Sequence, residues 1–345
     1  MSVQFFLFFR LFAAISVAIP LLLQAQPLKR NAIGLFQQQD TAANLLLSSD
    51  FKLLRMERSK MVLYPADVCL ILSSGDSLCG KGALSVRGYS RLDYCEPPPL
   101  TIHFNYNPQA VFAKLGKLKL VWACFYSEYY NQLVIKERLI YRMWQLFSPY
   151  ALRVQRIRIA STDYSNHSKE QVREGFLVED IDDLAKRMHC REINDTNTLS
   201  AEIDREHYTC MSIFQYMIGN PDWSVRGPQN LKLLVPADKP EASPFTVPYD
   251  FDQCGLVNAE YARPPVMVPI ERVDQRIFKG LKRTEAEISN AAKQFLKAEN
   301  NLYQIIEAEN DLKPASKRDM INYLKGFFVQ LKESRFLHQT FIEKL

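Results

Sequence analysis

Apolar and polar residues alternate through the first half of the chain, as they do in half-buried β-strands. "VCLILSS" and "LCGKGALSV" flank a Gly-Asp-Ser turn, and "TIHF" follows three prolines. Residues 60–105 are therefore predicted to be rich in β-strand. "KLKLV" (117–121) and "ALRVQRIRIA" (151–160) continue the alternation, and the short apolar run "GFLV" runs into the helix start "EDIDDLAKRM".

Helical spacing appears first between residues 127 and 147, where Leu133, Ile140 and Phe147 fall on one face. It dominates from about residue 200, where apolar residues step at helical intervals until Gly219-Asn220-Pro221. The last 65 residues read as amphipathic helices separated by a proline. The pattern predicts an α+β fold with two lobes: a β-rich N-terminal lobe with one long helix (60–185) and a mainly helical C-terminal lobe (186–345).

The N-terminus has the pattern of an export signal. Arg10 precedes an apolar run over 11–23, and small and polar residues follow at 24–26. A membrane span needs about 20 apolar residues, and this run is shorter. We expect a signal peptide over 1–25 and a leader segment over 26–59, with an uncleaved membrane anchor as the alternative. The mature protein is expected to be exported and to contain no membrane span.

Composition narrows the classes of partner. Hydrophobic residues make up 47% and charged residues 23% of the 345 residues, as in ordinary globular proteins. Lys and Arg number 43 against 38 Asp and Glu, for a formal net charge of +5. This balance argues against nucleic-acid binding. The seven cysteines show no CxxC spacing, so a zinc site is not expected, and some are expected to pair within the N-terminal strands.

Candidate chemistry lies in "IGNPDWSVRGPQNLKLL" and "VPYDFDQCGLV". The strands predicted at 230–235 and 244–249 would form a hairpin that brings Asn230 beside Asp250, with Asp222 on the loop before the first strand. Carboxylate and amide oxygens suit Mg²⁺ or Mn²⁺ bound together with phosphate oxygens, as phosphoryl transfer requires. The simpler alternative is that these residues only form turns.

These segments resemble the spore coat protein H (CotH) family of atypical protein kinases. "LSVRGYS…PPPLTIHF" and "GFLVEDID" are similar to further segments of that family, so the resemblance covers roughly residues 60–260 in the same order. It implies a two-lobed protein-kinase-like fold and transfer of the γ-phosphoryl of ATP to a hydroxyl of an envelope or secreted protein. It also implies that Asp222 is catalytic, that Asn230 and Asp250 bind the metal, and that Asp252 is a second or substitute metal ligand.

A kinase-like site also needs a strand lysine for the nucleotide phosphates and a helix glutamate that holds it. Lys119 and Glu137 occur in the right order, with Lys117 and Glu128 as alternatives. Glu179, at the junction of the predicted lobes, would offer backbone groups to the adenine edge. A solvated helix start is the alternative explanation for that glutamate.

Other functions stay open. The chain has no G-x-G-x-x-G run, and the step from Asp222 to Asn230 is longer than in the catalytic loop of ordinary protein kinases. A nucleotide-binding pseudokinase without activity, or an exported ligand-binding module, is therefore an alternative. "DFD" also fits a metal-dependent glycosyltransferase, although the segregation of strands before helices disfavours that function.

Overall fold

The structure is a computed structural model that describes residues 34–37, 41–88, 91–165, 171–194, 197–227 and 229–342. The predicted signal peptide lies outside the described residues. The described residues belong to one compact unit. Of the helices described, none is both long and apolar enough to cross a bilayer.

Seven strands form a closed barrel in the order β1-β2-β3-β4-β5-β7-β6. Six of the seven contacts between neighbouring strands are antiparallel, and the parallel pairing of β1 with β6 closes the barrel. The strands are β1 (Ala43–Ser49), β2 (Tyr64–Ile71), β3 (Ser77–Val86), β4 (Leu100–His103), β5 (Lys117–Trp122), β6 (Val154–Asp163) and β7 (Gln171–Val178).

Apolar side chains fill the barrel because every second residue of each strand points inward. In β1, Leu45 and Leu47 are buried whereas Leu46 between them is 41% exposed. Helix α1 (Phe51–Glu57) covers one end and buries Phe51 and Leu54.

The remaining elements lie outside the barrel, where one long helix contacts strands β5, β6 and β7 and most of the others pack on that helix or on one another. They are α2 (Glu128–Trp144), α3 (Ile181–Arg187), α4 (Arg205–Ile218), α5 (Glu285–Glu307), α6 (Pro314–Leu331), α7 (Ser334–Thr340) and a three-stranded sheet of β8 (Cys190–Ile193), β9 (Leu231–Pro236) and β10 (Phe245–Pro248). Single 3-10 turns occur at Gly34–Phe36, Phe104–Tyr106 and Ala113–Leu115. The long helix α2 is buried along most of its length, and one apolar core runs from β5 and β7 through α2 to α4, α5 and α6.

The predicted two-lobed protein-kinase-like fold is wrong. The N-terminal strands close into a barrel instead of forming the sheet of a kinase N-lobe. Closure depends on β1, whose sequence "ANLLLSS" lies in the segment that we read as a polar leader, and on its partner β6 far along the chain. Alternation predicts which face of a strand is buried but not which strand it joins.

Several local predictions are confirmed. The helix predicted over 127–147 is α2, and the hairpin predicted from 230–235 and 244–249 is the antiparallel pair β9 and β10. Cysteines pair within the N-terminal half, as Cys69–Cys79 between β2 and β3 and as Cys95–Cys124. The second disulfide ties the segment over 91–99 to the residues that follow β5.

Barrel closure gives a first test. Leu45→Ala leaves a cavity in the fully buried interior, and we expect the free energy of unfolding to fall by about 2–5 kcal/mol. Leu46→Ala, on the outer face of the same strand, is the matched control and should cost about 0.5 kcal/mol or less. Urea unfolding of both variants measures the difference, and equal losses would contradict the closed barrel.

Candidate functional site

The loop that carries Asp222 is fixed at the end of α4. Gly219 ends the helix with φ of 65°, and a Cβ there would lie 2.0 Å from the Tyr323 hydroxyl, so only glycine fits. The Asn220 side chain accepts a hydrogen bond from the Asp222 amide at 3.0 Å. Lys279 donates to two loop carbonyls at 2.6 Å each. Asp222 is therefore held by its backbone on both sides.

The Asp222 carboxylate is bound by two amide side chains. Asn230 Nδ2 donates to Oδ2 at 2.9 Å and to the Asp222 carbonyl at 2.8 Å, and Gln229 donates to Oδ1. Asn230 has φ of 52°, a left-handed conformation that asparagine tolerates better than most residues. Burial and the nearby Asp250 carboxylate raise the pKa of Asp222, while the Asn230 hydrogen bond opposes the shift.

The β9–β10 hairpin brings the segment of Asp250 to Asn230, which is the pairing predicted from the sequence. The Tyr249 amide donates to the Asn230 carbonyl at 3.1 Å, directly after the last β9–β10 pair. Asp250 also has a left-handed backbone, with φ of 62°, and its amide donates to the buried Tyr141 hydroxyl of α2 at 2.9 Å. A strained non-glycine residue whose amide is held in this way is typical of functional sites.

Asp252 lies deeper than Asp250. Phe251 between them is fully buried and packs on the Tyr141 ring at 4.8 Å. The Asp252 carboxylate pairs with Arg91 at 3.3 Å, and both side chains are more than nine-tenths buried. Burial raises the pKa of Asp252 to about 6, against the opposing effect of Arg91. Because Asp252 is paired with Arg91, Asp250 is the better placed of the two for a cation.

Glu137 lies on the buried face of α2, and one of its carboxyl oxygens has no hydrogen-bond partner within the part of the chain that the structure describes. Burial and the Asp252 charge raise its pKa well above the usual range, and Arg91 and Arg87 oppose them. The predicted salt bridge to Lys119 is not formed among the described residues. Glu137 lies instead in the electrostatic field of the two arginines.

Lys119 points outward from β5 toward the hairpin. Its ammonium lies over the Tyr249 ring, 4.3 Å from the centroid. Desolvation by the surrounding protein lowers the pKa of Lys119 to about 8; Arg87 adds to the shift and Asp250 opposes it. Arg87 follows β3 and donates to the carbonyls of Leu100 and Leu120 at 3.1 and 3.2 Å. The two cations therefore lie on the barrel side of the site, near Asp250.

We did not predict Arg87 or Arg91 as site residues. Arg87 lies in the segment "LSVRGYS", and the signal that could have indicated it is an arginine that directly follows a buried strand. Arg91 gave no such signal, because its partner Asp252 is distant in sequence.

Glu179 is held by hydrogen bonds to two arginines and to the backbone. Its carboxylate accepts from Arg153 Nε at 2.8 Å and from Arg187 Nη2 at 3.0 Å. Its amide donates to the Arg153 carbonyl at 2.9 Å. Neither the side chain nor the amide is thus placed to receive an adenine edge.

The residues at the mouth of the hairpin fit a hard divalent cation bound jointly with phosphate. The Asn230 amide nitrogen is committed to Asp222, so its oxygen is the group left for a cation, and Asp250 directly follows Tyr249, whose amide donates to the Asn230 carbonyl. Two protein oxygens are few for a cation bound by protein alone, but Mg²⁺ commonly takes one or two carboxylates and completes its shell with phosphate and water. The described residues contain no group of three or more His, Cys, Asp or Glu arranged for a metal.

No protein-family model matches this chain, and no curated protein matches its sequence. The resemblance to the CotH family is one of short segments.

Asp252 gives a pH test. The native carboxyl keeps its proton up to about pH 6, whereas the unfolded chain releases it near pH 4. Ionisation of Asp252 therefore lowers stability as the pH rises through this window. We expect the free energy of unfolding of the wild type, relative to Asp252→Asn, to fall by about 2 kcal/mol between pH 4 and pH 7.

Urea unfolding at several pH values measures this difference. Loss of the Arg91 partner adds an offset that does not change over this range, so only the slope is informative. Asp238→Asn, an exposed residue on the β9–β10 connection, controls for loss of a carboxylate in general. A difference between wild type and Asp252→Asn that stays constant with pH would show that Asp252 titrates normally.

Proposed function

We propose that this protein is an exported, CotH-like atypical kinase, which uses ATP and Mg²⁺ or Mn²⁺ to phosphorylate a hydroxyl of an envelope or secreted protein. The observation that carries the proposal is the convergence of Asp222, Asn230 and Asp250 at one end of a hairpin, opposite Lys119 and Arg87. Acidic and amide oxygens on one side and two cations on the other are what a metal-bound triphosphate requires. The proposal concerns the site and does not depend on a kinase fold.

Each residue has a role in the proposed transfer. Asp222 accepts the proton of the acceptor hydroxyl while the hydroxyl oxygen attacks the γ-phosphorus; the bond from that phosphorus to the β–γ bridging oxygen breaks, and ADP leaves. The raised pKa of Asp222 suits a general base. Asn230 and Asp250 would hold the cation, which neutralises phosphate charge. Lys119 and Arg87 would bind phosphate oxygens.

Export is supported by cysteine usage. The disulfides Cys69–Cys79 and Cys95–Cys124 are typical of an oxidising compartment. The second disulfide holds the loop that brings Arg91 to Asp252, so oxidation would also preserve the site.

Asp222→Asn tests the transfer step. We expect phosphorylation of the protein itself or of an envelope extract, measured with labelled ATP, to fall by about 10²–10⁴-fold, because the amide cannot accept the proton. Nucleotide binding, measured as a thermal shift with ATP and Mg²⁺, should persist. Asp238→Asn, at the far end of the same hairpin, should retain full activity.

The outcomes separate the alternatives. Full activity of Asp222→Asn would refute the assigned base. A wild-type protein that binds ATP without transferring phosphate would be a pseudokinase. A shift with UDP-sugars alone would indicate a glycosyltransferase, and no shift with any nucleotide would favour a ligand-binding module.

Lys119 and Lys117 form a matched pair on the outer face of β5. Only Lys119 lies near Tyr249 and Arg87. We expect Lys119→Ala to raise the Kd for ATP by about 10- to 100-fold through loss of a charged phosphate contact, and Lys117→Ala to leave it unchanged. Calorimetric titration measures both values, and equal effects of the two changes would exclude Lys119 from the nucleotide site.

A further inference from the structure

A cleft beside the candidate site is lined by tyrosines and hydrogen-bonding side chains, and we call it the tyrosine cleft. Its volume of about 410 Å³ lies in the lower part of the range for small-molecule sites. Its lining consists of Arg91, Tyr94, Gln253, Glu260, Tyr261 and Arg263. Because Arg91 also pairs with Asp252, the cleft adjoins the candidate site directly.

The aromatic rings at the cleft form one contiguous surface. Between ring centroids, Tyr94 lies 5.4 Å from Tyr261 and 5.5 Å from Phe125. Phe125 lies 4.9 Å from Tyr130, which in turn lies 5.2 Å from Tyr129. Tyr94 is 38% and Tyr129 43% exposed, so part of this aromatic surface stays open to a ligand.

The side chains of the cleft are held in place by one another. The Tyr94 and Tyr130 hydroxyls both donate to the Glu260 carboxylate, that of Tyr94 at 3.0 Å. Gln253 Oε1 accepts from the Arg263 amide at 3.1 Å, and Arg263 Nη1 donates to the Glu260 carbonyl at 2.7 Å. A ligand would therefore meet groups that are already ordered, which lowers the entropic cost of binding.

Charge in and beside the cleft is balanced. Arg91 and Arg263 stand against Asp252 and Glu260, and the hydrogen bonds from the two tyrosine hydroxyls lower the pKa of Glu260, so that carboxylate stays ionised. The arginines disfavour an ammonium ligand, for which an aromatic cage would otherwise be suited. The carboxylate in turn disfavours an anion. The cleft is thus best matched to a neutral ligand.

The cleft offers hydrogen-bonding groups of both kinds. The Glu260 carboxylate accepts, the Arg263 guanidinium donates, and the Gln253 amide can do both. Within the described part of the chain, Gln253 Nε2 and Arg263 Nη2 donate to no protein group. Sugar rings carry hydroxyls that donate and accept, and their C–H faces pack on the electron-rich faces of aromatic rings.

We propose that the tyrosine cleft binds a neutral sugar residue of a glycan. The C–H face of the sugar would pack on the Tyr94 ring, and its hydroxyls would bind Glu260, Gln253 and Arg263. A peptide fits less well, because none of the lining residues belongs to a strand whose edge a peptide could join. This inference concerns binding alone and is independent of the proposed phosphotransferase activity.

Saturation-transfer NMR with the full chain, without ATP or metal, tests the proposal. The probes are maltotriose, cellotriose, chitotriose and mannotriose, all of which are neutral. We expect transfer to the C–H protons of at least one of them, and titration of that signal gives its Kd. Absence of transfer to all of them would overturn the proposal. So would tighter binding of choline or of a polyproline peptide, because the cleft would then be an ammonium cage or a peptide groove.

Variants locate the binding. Tyr94→Ala should raise the Kd about tenfold by removing the ring, and Gln253→Ala should raise it about fivefold by removing hydrogen bonds. Tyr94→Phe, which keeps the ring, should have a smaller effect than Tyr94→Ala. Tyr106→Ala, at a 47% exposed tyrosine away from the cleft, is the matched control and should leave the Kd unchanged. A Kd unchanged in both Tyr94→Ala and Gln253→Ala would place the sugar elsewhere and contradict the proposal.

Discussion

The ion pair between Arg91 and Asp252 connects the two sides of the candidate site. Arg91 lies on the loop after β3 and so belongs to the barrel, while Asp252 follows the hairpin. Both side chains are nearly buried, so removal of either partner would leave an uncompensated charge, a loss typically worth about 3–5 kcal/mol. The pair therefore fixes the hairpin against the barrel, and the position of Asp250 relative to Lys119 depends on it.

Several carboxyl groups with raised pKa values lie around this ion pair. Burial raises the pKa of each of three carboxyl groups, those of Asp252, Glu137 and Asp222. The Asp250 charge raises the pKa of Asp222 further. Buried carboxyl groups with few compensating partners destabilise a fold unless they serve a purpose. A bound cation, as proposed, would supply compensating positive charge, whereas a nucleotide, which is itself anionic, would not. The raised pKa values are thus consistent with the proposed cation.

Local features of the fold could be predicted from the sequence, because they depend on residues that are close together. Alternation located β5, and a two-strand pattern with a polar connection located the hairpin that joins Asn230 to Asp250. The barrel could not be predicted, since its closure depends on the pairing of β1 with β6. Nothing in the sequence of either strand specifies that partner.

In the candidate site, too, only contacts between residues close together in the sequence could be predicted. Asp222, Asn230 and Asp250 share a hairpin and its preceding loop, so short-range reasoning could bring them together. Lys119 and Glu137 were expected to pair because strand and helix follow in order, but sequence order does not fix the rotation of α2. That rotation turns Glu137 toward Arg87 and Arg91 and leaves Lys119 against Tyr249.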